Sequence, residues 1–242
     1  MDRLIDIHCH ILPGVDDGAK DIEETKQMLR MAYDEGIRCI IATPHHHPRR
    51  GHASIETLKK AFYLAHEEAR KIDPKFYVFP GTEVFFGQDI PEKLMAGEIL
   101  TMNGRKTVLL EFSPTDDFSY ICQGIQQVQM AGYEVIVAHA ERYQCVTEDI
   151  RNAEHILDMG AYIQVNAGSI TGENGWKTKR YVKTLMKNDM VFGVGTDAHH
   201  TNSRAPKMKK AAEYVTKKFG EEYTRRIFFE NAAALLKKRR EV

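Results

Sequence analysis

The sequence predicts an α/β fold, a distorted TIM-like (β/α)7 barrel of parallel strands in which residues 1–242 form a single domain. Two observations lead to this prediction. Seven apolar segments of strand character alternate with amphipathic helices along the whole chain, which is typical of a parallel sheet. No linker or low-complexity segment divides the 242 residues, and this length without a break favours one closed barrel over an open doubly wound sheet.

The individual elements follow from apolar periodicity and from the residues that start and stop them. Strands are expected at residues 4–10, 37–43, 77–83, 108–111, 134–139, 162–166 and 190–195. Helices are expected at residues 21–35, 54–72, 90–96, 120–131, 149–159, 177–188, 206–218 and 221–238. The first helix shows the pattern, since Asp21 is suited to cap its start and Gly36 to follow its end.

The charge balance and the cysteines restrict the class of protein. Lys plus Arg and Asp plus Glu each number 34, so no basic excess indicates a nucleic-acid partner. The basic run 237–240 is interpreted as the end of a helix, where cations complement the helix dipole. Four widely spaced cysteines without a C-x-x-C pair indicate reduced thiols. With neither a signal-like start nor a long apolar stretch, we expect a cytoplasmic protein without membrane insertion.

Histidine and carboxylate residues end or follow nearly every predicted strand. They are His8, His10, Asp16, Asp17, His45, His46, His47, Glu83, Glu111, His139, Asp197, His199 and His200. The carboxyl ends of parallel strands lie on one side of such folds, so these side chains are expected to meet there. Carboxylates buried together would repel one another unless cations compensate them. The pattern therefore predicts a metal centre.

The number and type of donors indicate more than one ion. His8 and His10 are two residues apart, so on a strand both imidazoles lie on one face and Cys9 points to the other. About nine donors exceed the roughly four to six that one such ion takes. Imidazole and carboxylate without thiolate suit Mn, Fe or Zn. Spacing alone leaves three choices open: Asp16 or Asp17, one of His45, His46 and His47, and His199 or His200.

At these residues the sequence resembles the PHP (polymerase and histidinol phosphatase) superfamily, whose signature is similar to Asp6-Ile7-His8-Cys9-His10. Within it, the chain is most similar to the protein-tyrosine phosphatases encoded in bacterial capsule and exopolysaccharide loci. The matching segments are 5–19, 41–46, 110–112, 137–142 and 197–199, so the resemblance spans nearly the whole chain. One departure is Gly195-Thr196, where the family more often has an apolar residue and Ser.

The resemblance implies a PHP fold and a site of three divalent ions, most often manganese. By the family pattern, one ion would take His8, His10, Glu83 and Asp197, a second would share Glu83 and take Glu111 and His139, and a third would take Asp17, His45 and His199. The resemblance thereby selects Asp17, His45 and His199 from the neighbours that spacing leaves open.

The resemblance also implies hydrolysis of phosphotyrosine by metal-activated hydroxide, with the tail of a bacterial tyrosine kinase in polysaccharide synthesis as substrate. Arg142 and Arg204 follow the fifth and seventh strands, and the resemblance assigns both to phosphate binding and catalysis. No general acid stands out beyond the ligands, which favours an aryl phosphate, because a phenolate leaves without much protonation. Phe85, Phe86 and Tyr120 are candidates to flank the aryl ring.

Other functions compete with this hypothesis. A histidinol-phosphate phosphatase or a nuclease of the same superfamily would share the metal site, but the whole-length match argues against the first and the neutral charge against the second. A barrel amidohydrolase typically has a bridging lysine at a strand end, and no predicted strand ends in one. A non-catalytic kinase-binding module with a degenerate site should have lost metal ligands, and the full ligand set of this chain argues against it.

A second phosphatase motif is also present by spacing. Cys145 and Arg151 have the Cys-x5-Arg spacing of cysteine-dependent tyrosine phosphatases, but Glu148 and Asp149 would repel a phosphate and no glycine shapes the loop. We interpret the spacing as a coincidence. The sequence assigns no role to His46, His47, His52 or His200, and it defines neither the oligomeric state nor whether 172–176 forms a lid.

Overall fold

The computed structural model describes residues 3–237, and every strand pair in it is parallel. The strands are β1 (Leu4–Cys9), β2 (Ile37–Ala42), β3 (His45–His46), β4 (Tyr77–Pro80), β5 (Glu83–Phe85), β6 (Thr107–Glu111), β7 (Glu134–Val137), β8 (Tyr162–Asn166) and β9 (Gly193–Gly195). Three pair in the order β1-β2-β4 and six in the order β3-β5-β6-β7-β8-β9.

These two groups of strands form one curled sheet. Two residues separate β2 from β3, and two residues separate β4 from β5. The two breaks lie side by side, because β2 pairs with β4 before them and β3 pairs with β5 after them. Ala42 pairs with Pro80 before the break and His45 pairs with Glu83 after it. Counted as continuous paths, the strands of residues 3–237 number seven, and the predicted parallel α/β fold is confirmed.

The sheet curls until its last strand returns to its first. Cys9 forms a bridge with Ala198, and the amide of His10 donates to the Ala198 carbonyl at 2.8 Å. The amide of Asp197 donates to the His8 carbonyl at 2.8 Å. The segment that follows β9 is therefore fixed to the end of β1, and the ends of the first and last strands become neighbours.

The predicted third strand, 77–83, is wrong as a single strand, and each of the two breaks has an identifiable cause. Pro44 lacks an N–H and fixes its own φ, so the β2 ladder cannot run through it. Gly81 packs so closely on β2 that an added Cβ would lie 2.8 Å from Ile41 Cγ2. The path bends there, and Glu83 opens β5 instead of ending the preceding strand.

Helices cover the outer face of the sheet and close one end of its interior. They are α1 (Ile22–Asp34), α2 (Ile55–Ile72), α3 (Ile90–Met95), α4 (Phe118–Met130), α5 (Gln144–Glu148), α6 (Ile150–Asp158), α7 (Ala167–Thr171), α8 (Trp176–Lys187), α9 (Lys209–Phe219), α10 (Glu221–Arg225) and α11 (Asn231–Leu236). A π-helical turn, Arg226–Glu230, joins α10 to α11. The side chain of Asp21 accepts a hydrogen bond from the amide of Glu24 and caps α1 as predicted.

Three helix predictions differ from the structure. The predicted helix 149–159 is preceded by α5, and the predicted loop after strand six contains α7, because five-residue helices are too short to show a period. The predicted helix 221–238 is interrupted by the π-helical turn. Of the basic run 237–240, only Lys237 belongs to the described residues. None of the helices within residues 3–237 has the length and apolar character needed to cross a bilayer.

Apolar side chains pack on both faces of the sheet. Alternate residues of a strand belong to different clusters, as when Leu110 packs outward against the helices and Leu109 packs inward. The inner cluster comprises Ile5, Ile7, Ile41, Met102, Leu109, Ile136, Ala138, Ala232 and Leu235. Because α11 supplies its last two members, this helix fills the interior of the curl and leaves the carboxyl ends of the strands to polar side chains.

Candidate metal centre

The structure brings all nine predicted ligands together at one end of the curled sheet. They are His8, His10, Asp17, His45, Glu83, Glu111, His139, Asp197 and His199. All are buried except Asp17, which lies in the loop after β1 with 48% of its side chain exposed. Cys9 faces the outer apolar cluster, as strand parity predicts.

The centre of the cluster is formed by β1, β5 and the segment after β9. The Nε2 atoms of His8 and His10 lie 3.2 Å apart. His8 Nε2 lies 3.2 Å from Glu83 Oε1 and 3.6 Å from Asp197 Oδ1. His10 Nε2 lies 3.3 Å from Glu83 Oε2. These donors point at one small volume, which is the arrangement that a shared cation requires.

A second group extends from Glu83 toward β6 and β7. His139 Nε2 lies 2.8 Å from Glu83 Oε1 and 3.7 Å from Glu111 Oε1. Glu83 therefore lies between the two groups, and its two oxygens face different histidines. A carboxylate in this position can bridge two ions.

A third group forms around Asp17. Its Oδ1 lies 3.3 Å from His45 Nε2 and 3.4 Å from His199 Nε2. His10 has a donor atom within reach of the same group.

The donor atoms fit divalent ions better than they fit one another. His45 Nε2, His199 Nε2 and Glu111 Oε2 are buried and make no hydrogen bond of acceptable geometry within the described chain. Buried polar atoms without partners are costly and uncommon in folded proteins. Six of the eight such atoms within residues 3–237 belong to predicted ligands, the other two being Glu141 Oε2 and the Tyr223 hydroxyl, so most of this cost lies where cations would remove it.

The neighbours of the predicted ligands have other contacts. Asp16 Oδ2 accepts a hydrogen bond from His10 Nδ1 at 2.8 Å and from the amide of His45 at 2.9 Å. The ring of His47 packs on Phe85, with 4.3 Å between centroids. His200 Nδ1 accepts from the amide of Asn202. Asp17, His45 and His199 are thus the members of each set that point into the cluster.

Two of the predicted ligands have left-handed backbones. His139 has φ 31° and Asp197 has φ 52°. A non-glycine residue in this region costs free energy, and such conformations persist where the surrounding structure enforces them. Both residues lie two positions after the end of a strand, and the turn directs their side chains into the cluster.

Neighbouring carboxylates determine the protonation of two histidines. Burial alone would lower the pKa of His8, but Glu83 and Asp197 outweigh it and raise the pKa to about 9. Burial opposes protonation of His45 as well, yet its contacts with Asp17 and Glu83 raise its pKa to about 10. Without ions, protons therefore compensate part of the negative charge.

In two other groups the pKa shift favours the neutral form. Burial and the nearby His10 lower the pKa of His199 to about 4. Burial and the charge of Glu83 raise the pKa of Glu111 to about 7. Crowded donors that carry such opposed shifts form a strongly perturbed cluster, which is typical of a functional site.

Sequence reasoning did not find the side chains that orient the ligands. His8 Nδ1 donates to Gln164 Oε1 at 3.1 Å, which leaves Nε2 to face the cluster. The same oxygen accepts from the amide of His139 at 2.7 Å. Asn166 Nδ2 donates to Asp197 Oδ2 at 2.9 Å. Gln164 and Asn166 are two apart at the end of β8, the same parity signal that indicated the paired histidines.

The departure from the family pattern at Gly195-Thr196 has a structural explanation. A Cβ on Gly195 would lie 2.4 Å from His8 Cβ, so β9 approaches β1 more closely than any side chain allows. Thr196 Oγ1 donates to Asp6 Oδ2 at 2.5 Å, and a serine hydroxyl could do the same. Asp6 also accepts from the amide of His8 at 3.1 Å and thereby ties both strand ends together.

Both predicted phosphate-binding arginines lie beside the cluster. Arg142 Nη1 donates to Asp197 Oδ2 at 3.1 Å, and Arg204 Nη2 donates to Asp197 Oδ1 at 2.7 Å. All three residues line a cavity of about 530 Å³. A third arginine, Arg50, donates to Glu111 Oε1 at 3.2 Å and was not predicted.

Phe86 and the Cys145 motif have other structural roles. Phe86 is buried and packs on Phe112 and Tyr120, so it is part of the core. Cys145 lies in α5, and the guanidinium of Arg151 pairs with Asp149. That pairing satisfies the arginine locally and forms no anion-binding loop around the cysteine.

A parallel α/β barrel whose strand ends converge on buried histidines and carboxylates belongs to the class of barrel proteins that can hold several metal ions. The family described as "Capsular polysaccharide synthesis, CpsB/CapC" matches residues 4–237. The tyrosine-protein phosphatase CpsB of Streptococcus pneumoniae is 30% identical over 238 residues, covering 96% of this chain and 98% of that protein. The tyrosine-protein phosphatase YwqE of Bacillus subtilis is 32% identical, covering 97% and 92%.

A solved structure agrees with these sequence matches. It comes from work on YwqE of B. subtilis and CpsB of S. pneumoniae, described as metal-dependent tyrosine phosphatases. It superposes with a TM-score of 0.89 at 33% identity, covering 96% of this chain and 94% of that one. The chain belongs to the CpsB/CapC family.

Proposed function

We propose that this protein is a metal-dependent protein-tyrosine phosphatase. The convergence of nine His, Asp and Glu donors with Arg142 and Arg204 beside one cavity carries the proposal. The activity named for CpsB and YwqE, which the chain matches almost from end to end, supports the same reaction.

We propose three divalent ions, with manganese the best suited and iron or zinc as alternatives. The first would be held by His8, His10, Glu83 and Asp197, the second by Glu83, Glu111 and His139, and the third by Asp17, His45 and His199. When bound, such ions supply Lewis acidity and an activated water for attack on phosphorus.

The protein's own residues would bind and orient the phosphate. Arg142 and Arg204 each use one N–H on Asp197, and a guanidinium has five N–H groups. The others are available for phosphoryl oxygens, which charge-assisted hydrogen bonds hold strongly. A phenolate, whose conjugate acid has a pKa near 10, leaves with little protonation, so this arrangement suits an aryl phosphate.

We further propose the physiological setting. The substrate would be the phosphorylated tail of a bacterial tyrosine kinase that controls polysaccharide synthesis, an assignment supported by the family's description. The protein would act in the cytoplasm, which its unpaired cysteines at positions 9, 39, 122 and 145 support.

Hydrolysis of two peptides tests the reaction. A phosphotyrosine peptide and a phosphoserine peptide are each incubated with metal-stripped protein, with and without added Mn²⁺. We expect phosphate release from the phosphotyrosine peptide alone and only with metal. The Cys145→Ser variant is the matched control and should be as active as the unchanged protein.

Three results would contradict the proposal. Metal-independent release that is lost in Cys145→Ser would indicate a cysteine nucleophile. Release from a small phosphate ester alone would indicate another phosphoesterase. Binding of a kinase tail without any release would indicate a non-catalytic module.

A further inference from the structure

We propose that Arg50 is a third arginine that binds the phosphoryl group, reaching it from the Glu111 side of the cluster. The inference rests on the proposed function, since it takes a phosphate ester as the ligand. The ligand class is a phosphoryl dianion, and Arg142 and Arg204 would hold it from the Asp197 side.

The contact of Arg50 closely resembles those of the other two arginines. Arg50 Nη1 donates to Glu111 Oε1 at 3.2 Å, as Arg142 and Arg204 donate to Asp197. The three side chains are equally exposed, at 40%, 39% and 40% respectively. Each guanidinium is therefore held by a buried carboxylate of the cluster while part of the side chain remains exposed.

Arg50 also keeps donors for a ligand. Its bond to Glu111 is the only side-chain hydrogen bond it makes within residues 3–237, so most of its five N–H groups are unused. The bond occupies one oxygen of Glu111, and Oε2 stays without a hydrogen-bond partner. Arg50 therefore does not compete with a metal ion for that second oxygen.

A short, tightly packed turn presents Arg50. The amide of His47 donates to the carbonyl of Gly51 at 2.7 Å, and the amide of Gly51 donates back at 3.2 Å. Gly51 has φ 145°, and a Cβ there would lie 2.9 Å from Asp16 Cβ. The turn thus rests on the loop that carries Asp17, and binding a ligand costs little ordering of the backbone.

The position of Arg50 complements the other two arginines. Glu111 ends β6 and Asp197 follows β9, three strands further along the curled sheet, so the two carboxylates enter the cluster from different sides. Arg142 and Arg204 both lie at the Asp197 end. A phosphoryl group develops charge on three oxygens during transfer, and donors from one side cannot face all of them. Arg50 supplies the donor from the other side.

Binding of inorganic phosphate to the metal-loaded protein tests the inference. Calorimetry would compare the unchanged protein with Arg50→Gln and Arg49→Gln. The second variant is the matched control, because it removes the same charge from the same turn at a side chain with no hydrogen bond to the described chain. We expect Arg50→Gln to weaken phosphate binding about tenfold, and Arg49→Gln to stay within about twofold.

The bound metal of each variant is measured at the same time. Equal phosphate affinities for Arg50→Gln and Arg49→Gln would overturn the inference. Loss of metal from Arg50→Gln in proportion to its loss of phosphate would also overturn it, because Arg50 would then act through Glu111. Arg50→Lys keeps the charge without the planar fork, so an intermediate affinity with full metal content would support phosphate contact.

The inference and the proposed function fail in different ways. Absent peptide hydrolysis with weakened phosphate binding in Arg50→Gln would refute only the phosphatase activity. Normal metal-dependent hydrolysis with phosphate affinities equal in Arg50→Gln and Arg49→Gln would refute only the role of Arg50.

Discussion

At the residue scale, the cluster depends on side chains that determine which imidazole nitrogen faces inward. Gln164 and Asp16 each occupy a Nδ1 atom, of His8 and His10 respectively, and so direct both Nε2 atoms to the same volume. Outer partners of this kind commonly change metal affinity by about 10- to 100-fold when removed.

Replacement of Gln164 should therefore weaken metal binding. Gln164→Met keeps the approximate shape but removes the oxygen that accepts from His8 and from the amide of His139. We expect Mn²⁺ affinity to fall about 10- to 100-fold, measured by competition with a chelating indicator. Gln126→Met, an exposed change on α4, is the control. Unchanged affinity in Gln164→Met would show that His8 is oriented by packing alone.

Removing the negative charge of Glu111 should increase the stability of the protein and abolish its activity. The folded-state pKa of Glu111 is about 7, above its ordinary value of 4.5, so the folded chain binds the extra proton and loses stability as pH rises from 4.5 to 7. Glu111→Gln resembles the protonated form. At pH 8 we expect the free energy of unfolding of the metal-free variant to be about 1–3 kcal/mol higher than that of the unchanged protein. The variant should have no phosphatase activity.

Denaturant unfolding at pH 8 and at pH 4 measures this effect. The advantage of the variant should shrink toward zero at pH 4, where Glu111 is protonated in both states. The exposed Glu98→Gln serves as the control and should change little at either pH. A variant less stable than the unchanged protein at pH 8 would mean that the bond from Arg50 outweighs the burial of charge.

At the element scale, the site depends on how closely the last strand approaches the first. Gly195 of β9 lies so close to His8 that no Cβ fits there, and the turn after β9 directs Asp197 inward. A side chain at residue 195 cannot fit without moving β1.

Gly195→Ala should therefore disrupt the site more than it disrupts the remaining structure. Its Cβ would lie 2.4 Å from His8 Cβ, so the two strand ends must separate. We expect at least a tenfold loss of Mn²⁺ affinity and a stability loss of about 1–3 kcal/mol, the range for overpacking. Gly97→Ala has open space around its Cβ but a φ of 72°, so it should lose stability and keep its metal affinity. Equal metal affinities in the two variants would contradict this account.

Strand parity and strand ends let the sequence predict most of the cluster. His8 and His10 follow from spacing, and Glu111 and His139 from their places after apolar runs. The choice of Asp17 over Asp16 depended on the resemblance, because both lie in one loop and only three-dimensional contacts separate them. The break at Gly81 could not be predicted, since it arises from close packing on a strand distant in sequence.

Arg50 shows a second kind of limit. Its turn follows a two-residue strand that is too short to show a period, and its contact with Glu111 joins residues 61 positions apart. Arg142 and Arg204 were predicted because each follows a recognisable strand and because the family resemblance assigns both to phosphate binding. Single-domain organisation of residues 1–242 stays a prediction.

At the scale of the whole molecule, metal and protons compete for the same donors. The pKa values of His8 and His45, about 9 and 10, are raised above the ordinary 6.5, so these groups stabilise the metal-free fold below pH 6.5 and lose that contribution as pH rises to 9–10. Metal binding requires neutral imidazoles, so metal affinity rises over the same pH interval. The stabilities of the metal-free and metal-bound forms should therefore change in opposite directions as pH rises.

Melting temperatures with and without Mn²⁺ should therefore diverge as pH rises from 6.5 toward 9. We expect a single unfolding transition for the chain, and proton release on adding Mn²⁺ at pH 7.5 in weak buffer. A pH-independent difference in melting temperature, with no proton release, would show that His8 and His45 are already neutral. His200→Ala, outside the cluster, should reproduce the behaviour of the unchanged protein.

The fastening of the segment after β9 to β1 also has a consequence for biosynthesis. Asp6 and Thr196, whose bonds join these strand ends, are 190 positions apart. A ribosome therefore releases the first two histidines long before the aspartate and histidine that complete their surroundings. A nascent or truncated chain that stops before residue 193 has neither a closed sheet nor a full set of donors. The proposed metal cluster therefore cannot be complete until residue 199 has been synthesised, and a product that stops earlier lacks donors that the proposed activity requires.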